Sequence, residues 1–149
     1  MSETSAVNLG VQFTPQENGY ITGVRFYKGS GNTGTHVGSL WTTSGTLLGQ
    51  ITFTNETATG WQQANFSSPI AVTAGTTYVA SYLAPNGGYA ADGNYFANSD
   101  VNNPPLFVPA SPAVTGGNGV YTYGSSSAFP ASTYGATNYW VDVVFNTTP

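Results

Sequence analysis

Charge is scarce in this 149-residue chain. Two basic residues, Arg25 and Lys28, and six acidic ones make up 5% of it, against about a quarter in an average soluble domain. A net charge of -4 with two cations cannot neutralise a phosphate backbone, which excludes nucleic acid as a partner and gives no grip on an anionic membrane surface. Cysteine is absent, which rules out a disulfide framework and a thiolate zinc site. A chain of this length buries enough apolar surface to fold without either. No apolar run approaches the roughly 18 residues of a membrane-spanning helix, and membrane insertion is not expected. Met1-Ser2-Glu3-Thr4 carries neither a basic nor an apolar region of the kind that opens a signal peptide.

Solubility therefore rests on Ser, Thr, Asn, Gln and Gly, while 14% of the chain is aromatic. A hydrated but electrostatically quiet surface suits work outside the cell against a neutral, hydroxyl-rich partner. Helical periodicity is almost missing. Apolar residues alternate in short runs rich in β-branched and aromatic residues, separated by Gly, Asn, Ser, Thr and Pro.

Val7, Leu9, Val11 and Phe13 mark the first strand. The run 20–27 sets Tyr20, Thr22, Val24 and Phe26 on one face and Ile21, Gly23, Arg25 and Tyr27 on the other. Further strands are expected at 37–42, 47–54 (Leu47, Gly49, Ile51 and Phe53 inward), 61–66, 70–72, 78–83 and 139–145. Short strands at such spacing predict an all-β fold, a single antiparallel β-sandwich with jelly-roll or immunoglobulin-like connectivity, occupying 1–149 with its core at about 7–145. Gly75 three residues before Tyr78 has the form of a tyrosine corner, the hydroxyl tied back to the preceding backbone.

One segment breaks the rhythm. Residues 84–136 hold most of the prolines and eight aromatic rings, too many for disorder, and predict one long ordered excursion over an end or face of the sandwich, with a short strand at 120–123. Pro69 between two apolar runs predicts two separate strands, which puts the loop 28–36 and the excursion at opposite ends.

Gly29-Ser30-Gly31-Asn32-Thr33-Gly34 spells G-x-G-x-x-G, with Glu56 about 20 residues on. A strand rather than a helix follows it, so no helix N-terminus faces a phosphate. Catalysis is hard to assemble: Asp92 and Asp100 are the only acids near an aromatic cluster, and His36 has neither a nucleophile elbow nor a cysteine to serve. Asp92, Asn94, Asn98, Asp100, Asn102 and Asn103 offer the hard oxygens calcium prefers, but not at EF-hand spacing, and turns favour the same residues; calcium stays open. Arg25 and Asp142, the only charges inside predicted strands, either face solvent singly or meet as a cross-strand pair.

Sugar recognition needs aromatic faces bordered by amides and hydroxyls. Asn86, Tyr89, Asp92, Asn94 and Tyr95 supply that mixture within ten residues, and His36 with Trp41 offers it elsewhere. Trp41, Trp61 and Trp140 stand in strands, where core is the commoner place, and Trp61 is read as core.

Ile21-Thr22-Gly23-Val24-Arg25-Phe26-Tyr27-Lys28, Gly31-Asn32-Thr33-Gly34-Thr35-His36, Gly38-Ser39-Leu40-Trp41, Tyr78-Val79-Ala80-Ser81-Tyr82, Ala84-Pro85-Asn86-Gly87, Asn102-Asn103-Pro104-Pro105-Leu106 and Asn138-Tyr139-Trp140-Val141-Asp142-Val143 together resemble the bacterial domain of unknown function 4082, from about Val7 to Phe145. The resemblance implies a β-sandwich module of a large secreted or cell-surface bacterial protein, beside adhesive or carbohydrate-active domains, and carries over no catalytic residue. The expectation is thus a non-catalytic module that binds a neutral polysaccharide or cell-surface glycan and tethers a larger multidomain protein. The alternative is a structural spacer or adhesin module without a small ligand, and a glycan-active enzyme comes third.

Overall fold

The computed structural model describes residues 5–89, 101–103, 106–108, 119–130 and 139–148. Ten strands run through them: β1 (Val7–Pro15), β2 (Gly19–Lys28), β3 (Val37–Thr42), β4 (Leu47–Thr52), β5 (Gly60–Val72), β6 (Tyr78–Ala84), β7 (Val101–Asn103), β8 (Leu106–Val108), β9 (Gly119–Tyr123) and β10 (Val141–Asn146). Every ladder is antiparallel. A seven-stranded sheet, ordered β4-β3-β6-β1-β8-β7 with β9 also on β1, faces a three-stranded sheet ordered β10-β2-β5. The protein is an all-β sandwich.

The alternation that predicted β1 is the alternation that fills the core, where Val7, Leu9, Val11 and Phe13 meet Val24, Phe26, Val141 and Val143 of the opposite sheet. Phe26 is central. It stacks on Tyr82 (centroids 4.2 Å apart, planes 12° from parallel) and meets Phe53 edge-on at 4.9 Å, geometries that add to the burial of the rings.

The tyrosine corner is present. The Tyr78 hydroxyl accepts the Thr73 N–H at 3.0 Å, and Gly75 takes a φ of 78° in the turn between them. Tyr78→Phe is expected to cost about 1 kcal/mol, the ordinary net worth of one such bond, read as a lowered urea midpoint with unchanged slope.

The phase of β2 differs from its expected one. Ile21, Val24 and Phe26 are all buried, because the β2–β5 register shifts between Ile21 and Gly23 and the bulge moves the inward set by one residue. Ile21 pairs with Ile70 and Gly23 with Asn65, so Thr22 of β2 stands against the four residues 66–69 of β5. Pro69 sits in that excess, where no ladder bond is asked of it. The runs 61–66 and 70–72 are therefore one strand, and chain direction after β5 reverses relative to the expectation. Loop 29–36 and the start of the excursion lie at the same end, with the Asn86 side-chain amide donating to the Thr33 carbonyl at 3.2 Å. Leu47, expected inward, is 46% exposed at the start of the edge strand β4, beyond a second shift between Leu40 and Trp41.

Beyond β9, residues 126–130 of the excursion lie over β1 and β3 on the outer face of the larger sheet. The Asn8 amide donates to the Ser126 carbonyl and accepts the Ala128 N–H, and Phe129 packs edge-on against Trp41 at 5.7 Å. A Cβ added at Gly10 would stand 3.3 Å from Pro130. Beneath this cover Asn8, Gln12, Ser39 and Ser81 are buried.

Candidate functional site

The outer face of the three-stranded sheet has a different character. With Val24, Phe26, Gln62, Val141 and Val143 buried, the alternation of strands turns Arg25 and Tyr27 of β2, Trp61, Gln63 and Asn65 of β5, and Asp142 and Val144 of β10 outward. Register sets them in rows: Tyr27 opposite Trp61, then Asp142, Arg25 and Gln63 side by side, then Val144, Gly23 and Asn65.

Trp61 is 44% exposed and Tyr27 42%, their rings edge-to-face at 5.7 Å. The Arg25 guanidinium carbon lies 4.8 Å from the Trp61 ring centre, a cation–π contact that fixes the indole and the guanidinium together. Arg25 Nη1 stands 3.8 Å from Asp142 Oδ2, with side chains 35% and 48% exposed. Asp142 Oδ1 accepts the Val143 N–H at 2.8 Å. Partial burial raises the Asp142 pKa, opposed by that bond and by Arg25. Gln63 donates to Asn65 Oδ1 at 3.0 Å, and the space a Cβ at Gly23 would need is taken by that same Oδ1 and by the Ala64 carbonyl. Just before β10, Trp140 has a φ of 55°, rare for a bulky residue, and its carbonyl accepts the Tyr27 N–H.

The aromatic row is held from behind. Lys28 follows Tyr27, and its ammonium lies 3.1 Å from Glu56 Oε1 and donates to the Thr57 carbonyl at 3.0 Å. Glu56 turns both oxygens to His36 Nδ1, at 2.8 and 2.9 Å. His36 Nε2 lies 2.7 Å from Asn32 Oδ1, and the Asn32 amide reaches the Tyr82 hydroxyl at 3.1 Å. Asn32, His36 and Tyr82 have no exposed surface. Burial lowers the His36 pKa, against the raising effect of Glu56. A neutral ring donating Nδ1–H to Glu56 presents a lone pair at Nε2, so the Asn32 amide must then turn its NH2 to the ring and its oxygen to the Tyr82 hydroxyl. This network ties loops 29–36 and 53–59 together. Gln62 closes the second loop by accepting the Thr57 N–H and donating to the Gly60 carbonyl just before Trp61.

The structure redistributes the expected ligand residues. His36 is inside this network, and Trp41 is buried, with Nε1 donating to Ser81 Oγ at 2.8 Å beneath Phe129. Tyr89 is in the core, edge-on to Tyr139 at 5.7 Å, because two consecutive positive-φ residues, Gly87 and Gly88, turn the chain back inward. Asn86 is exposed and spent partly on Thr33. Asp92, Asn94 and Tyr95, and with them Asn98 and Asp100 of the calcium option, lie outside the described residues, while Asn102 and Asn103 of that option stand in β7. Arg25 and Asp142 do pair across strands. Trp61, read as core, is on the surface. Its signal was available in the alternation Trp61, Gln63, Asn65 against the apolar Ala64 and Phe66, a pattern that an isolated Trp–apolar reading overrides.

Among the described residues no group of three His, Cys, Asp or Glu side chains could hold a metal ion. No helix among them is long and apolar enough to cross a membrane. A comparison with the curated proteins finds none that matches this chain. The family described as "Domain of unknown function (DUF4082)" matches residues 1–141. That match spans nearly all of the 149 residues, and the chain belongs to this DUF4082 family.

Proposed function

We propose that the protein is a non-catalytic module of a secreted or cell-surface bacterial protein that holds a neutral polysaccharide or surface glycan on the outer face of its three-stranded sheet. One observation carries the reading: Trp61 and Tyr27 are exposed side by side on a polar face, while over β1 and β3 the outer face of the other sheet is covered by the chain's own residues 126–130. An exposed indole fixed by a guanidinium gives sugar CH groups an apolar plane. Gln63, Asn65, Arg25 and Asp142 border it with the few polar groups that orient a ligand. The non-catalytic part of the proposal is supported by the placement of Glu56 and Asp142. Glu56 is held between Lys28 and His36, and Asp142 faces Arg25 rather than a second carboxyl group.

Affinity electrophoresis through gels containing neutral polysaccharides tests this. Binding is expected to be insensitive to salt, since no counterions are released. Trp61→Ala should weaken it by roughly 30-fold or more, the loss of a hot-spot aromatic worth about 2 kcal/mol, and Tyr27→Ala by less. If wild type is retarded by no glycan, or Trp61→Ala is retarded as strongly as wild type, the spacer function takes the place of this one.

A further inference from the structure

The row beside the aromatic pair contains an ion pair that is aligned but not closed. Arg25 and Asp142 are directly opposite on neighbouring strands, yet Nη1 and Oδ2 are 3.8 Å apart, beyond the 2.7 to 3.2 Å of a hydrogen bond. Each is turned from the other by a second partner. The guanidinium lies over the Trp61 ring, toward β5, and Asp142 is anchored through Oδ1 to its own strand at the Val143 N–H.

Resting on the glycan-binding reading above, we infer that Arg25 and Asp142 form a hydroxyl clamp that makes this face select uncharged sugars over uronates. A hydroxyl seated off the line between them, about 2.8 Å from each, accepts from Nη1 and donates to Oδ2 at once. Only a group that is both donor and acceptor satisfies both ends. A carboxylate accepts from Arg25 but has no proton for Asp142 and meets its like charge. The remaining cation cannot compensate, because the Lys28 ammonium is committed to Glu56 and the Thr57 carbonyl. The guanidinium keeps further N–H donors for a neighbouring hydroxyl of the same ring. Arg25 is thereby the donor half and Asp142 the half that excludes acids.

The test compares retardation by glucan, mannan and xylan with that by polygalacturonate and alginate, for wild type, Asp142→Asn, Arg25→Gln and Trp61→Ala. Wild type is expected to bind a neutral probe at least tenfold more tightly than either uronate. Asp142→Asn keeps the side-chain shape and an acceptor for Val143, and should reduce that ratio by tenfold or more, chiefly by admitting the uronates. Arg25→Gln should weaken both classes. A ratio unchanged in Asp142→Asn, or a wild type that prefers uronates, overturns the clamp even where Trp61→Ala still abolishes binding and the platform stands. Binding that Trp61→Ala leaves intact, or a wild type that binds none of the probes, overturns the platform and the clamp together.

Discussion

Replacing Glu56 with alanine is expected to destabilise the fold by about 3 kcal/mol, the lower end of what breaking a buried ion pair costs. The melting temperature should fall by roughly 6 to 12 °C for a chain of this size. Both Lys28 and Glu56 are almost covered, each side chain only 12% exposed, so the alanine variant leaves an ammonium with a single carbonyl and removes the acceptor of His36 Nδ1. Glu56→Gln keeps the shape and an acceptor oxygen but not the charge, and should fall between. The same network sets a pH dependence. Because burial lowers the His36 pKa in the fold, the unfolded chain takes up the proton first as pH falls. The stability contributed by the neutral ring is fully present above the unfolded value and is lost as pH drops below it, by up to about 1.4 kcal/mol per pH unit. Urea titrations from pH 7.5 to 5 should show that slope in wild type and not in His36→Gln. A flat wild-type profile would show that His36 does not titrate differently in the two states.

Strand positions were legible where one rule acts alone. In β1 and β3 the apolar period and the turn residues at each end agree, and the strands lie where the spacing puts them. The tyrosine corner was legible because Gly75 and Tyr78 are close in sequence and the motif is local. The phase of β2 was not, since the bulge that shifts it lies in its pairing with β5 and cannot be read from residues 19–28. That one bulge also absorbs Pro69, merges two expected strands and brings loop 29–36 to Asn86. The burial of two expected ligand residues was hidden for a related reason. Tyr89 looked loop-borne because Asn86-Gly87-Gly88 is turn-forming, and the turn is there, but its two positive-φ glycines fold the ring into the core. His36 and Glu56, twenty residues apart, read separately, as a lone base and as the acid that follows the glycine run. Only the return of the chain through β3 and β4 makes them a pair.

The clearest separation of core from surface comes from two strand-borne tryptophans whose expected places are exchanged in the structure. Trp41→Ala is expected to cost about 3 to 5 kcal/mol. Trp41 is 7% exposed, it packs with Val79, Val120 and Phe129, and its loss would leave the Ser81 hydroxyl buried without the indole N–H. Trp61→Ala removes one edge-to-face contact and one exposed cation–π contact, and should cost only about 1 kcal/mol. The order inverts for binding, where Trp41→Phe should leave affinity unchanged and Trp61→Ala should remove it. Urea midpoints of the two alanine variants decide the first half. Acrylamide quenching supplies an independent check, because removing Trp61 should abolish most of the quenchable emission while Trp41→Phe should not. Equal stability losses at the two positions would put Trp61 back in the core and leave the sheet face without its platform. A small loss at Trp61 with a large one at Trp41 means that the fold does not need an indole on this face, which leaves the ring free to serve the proposed platform.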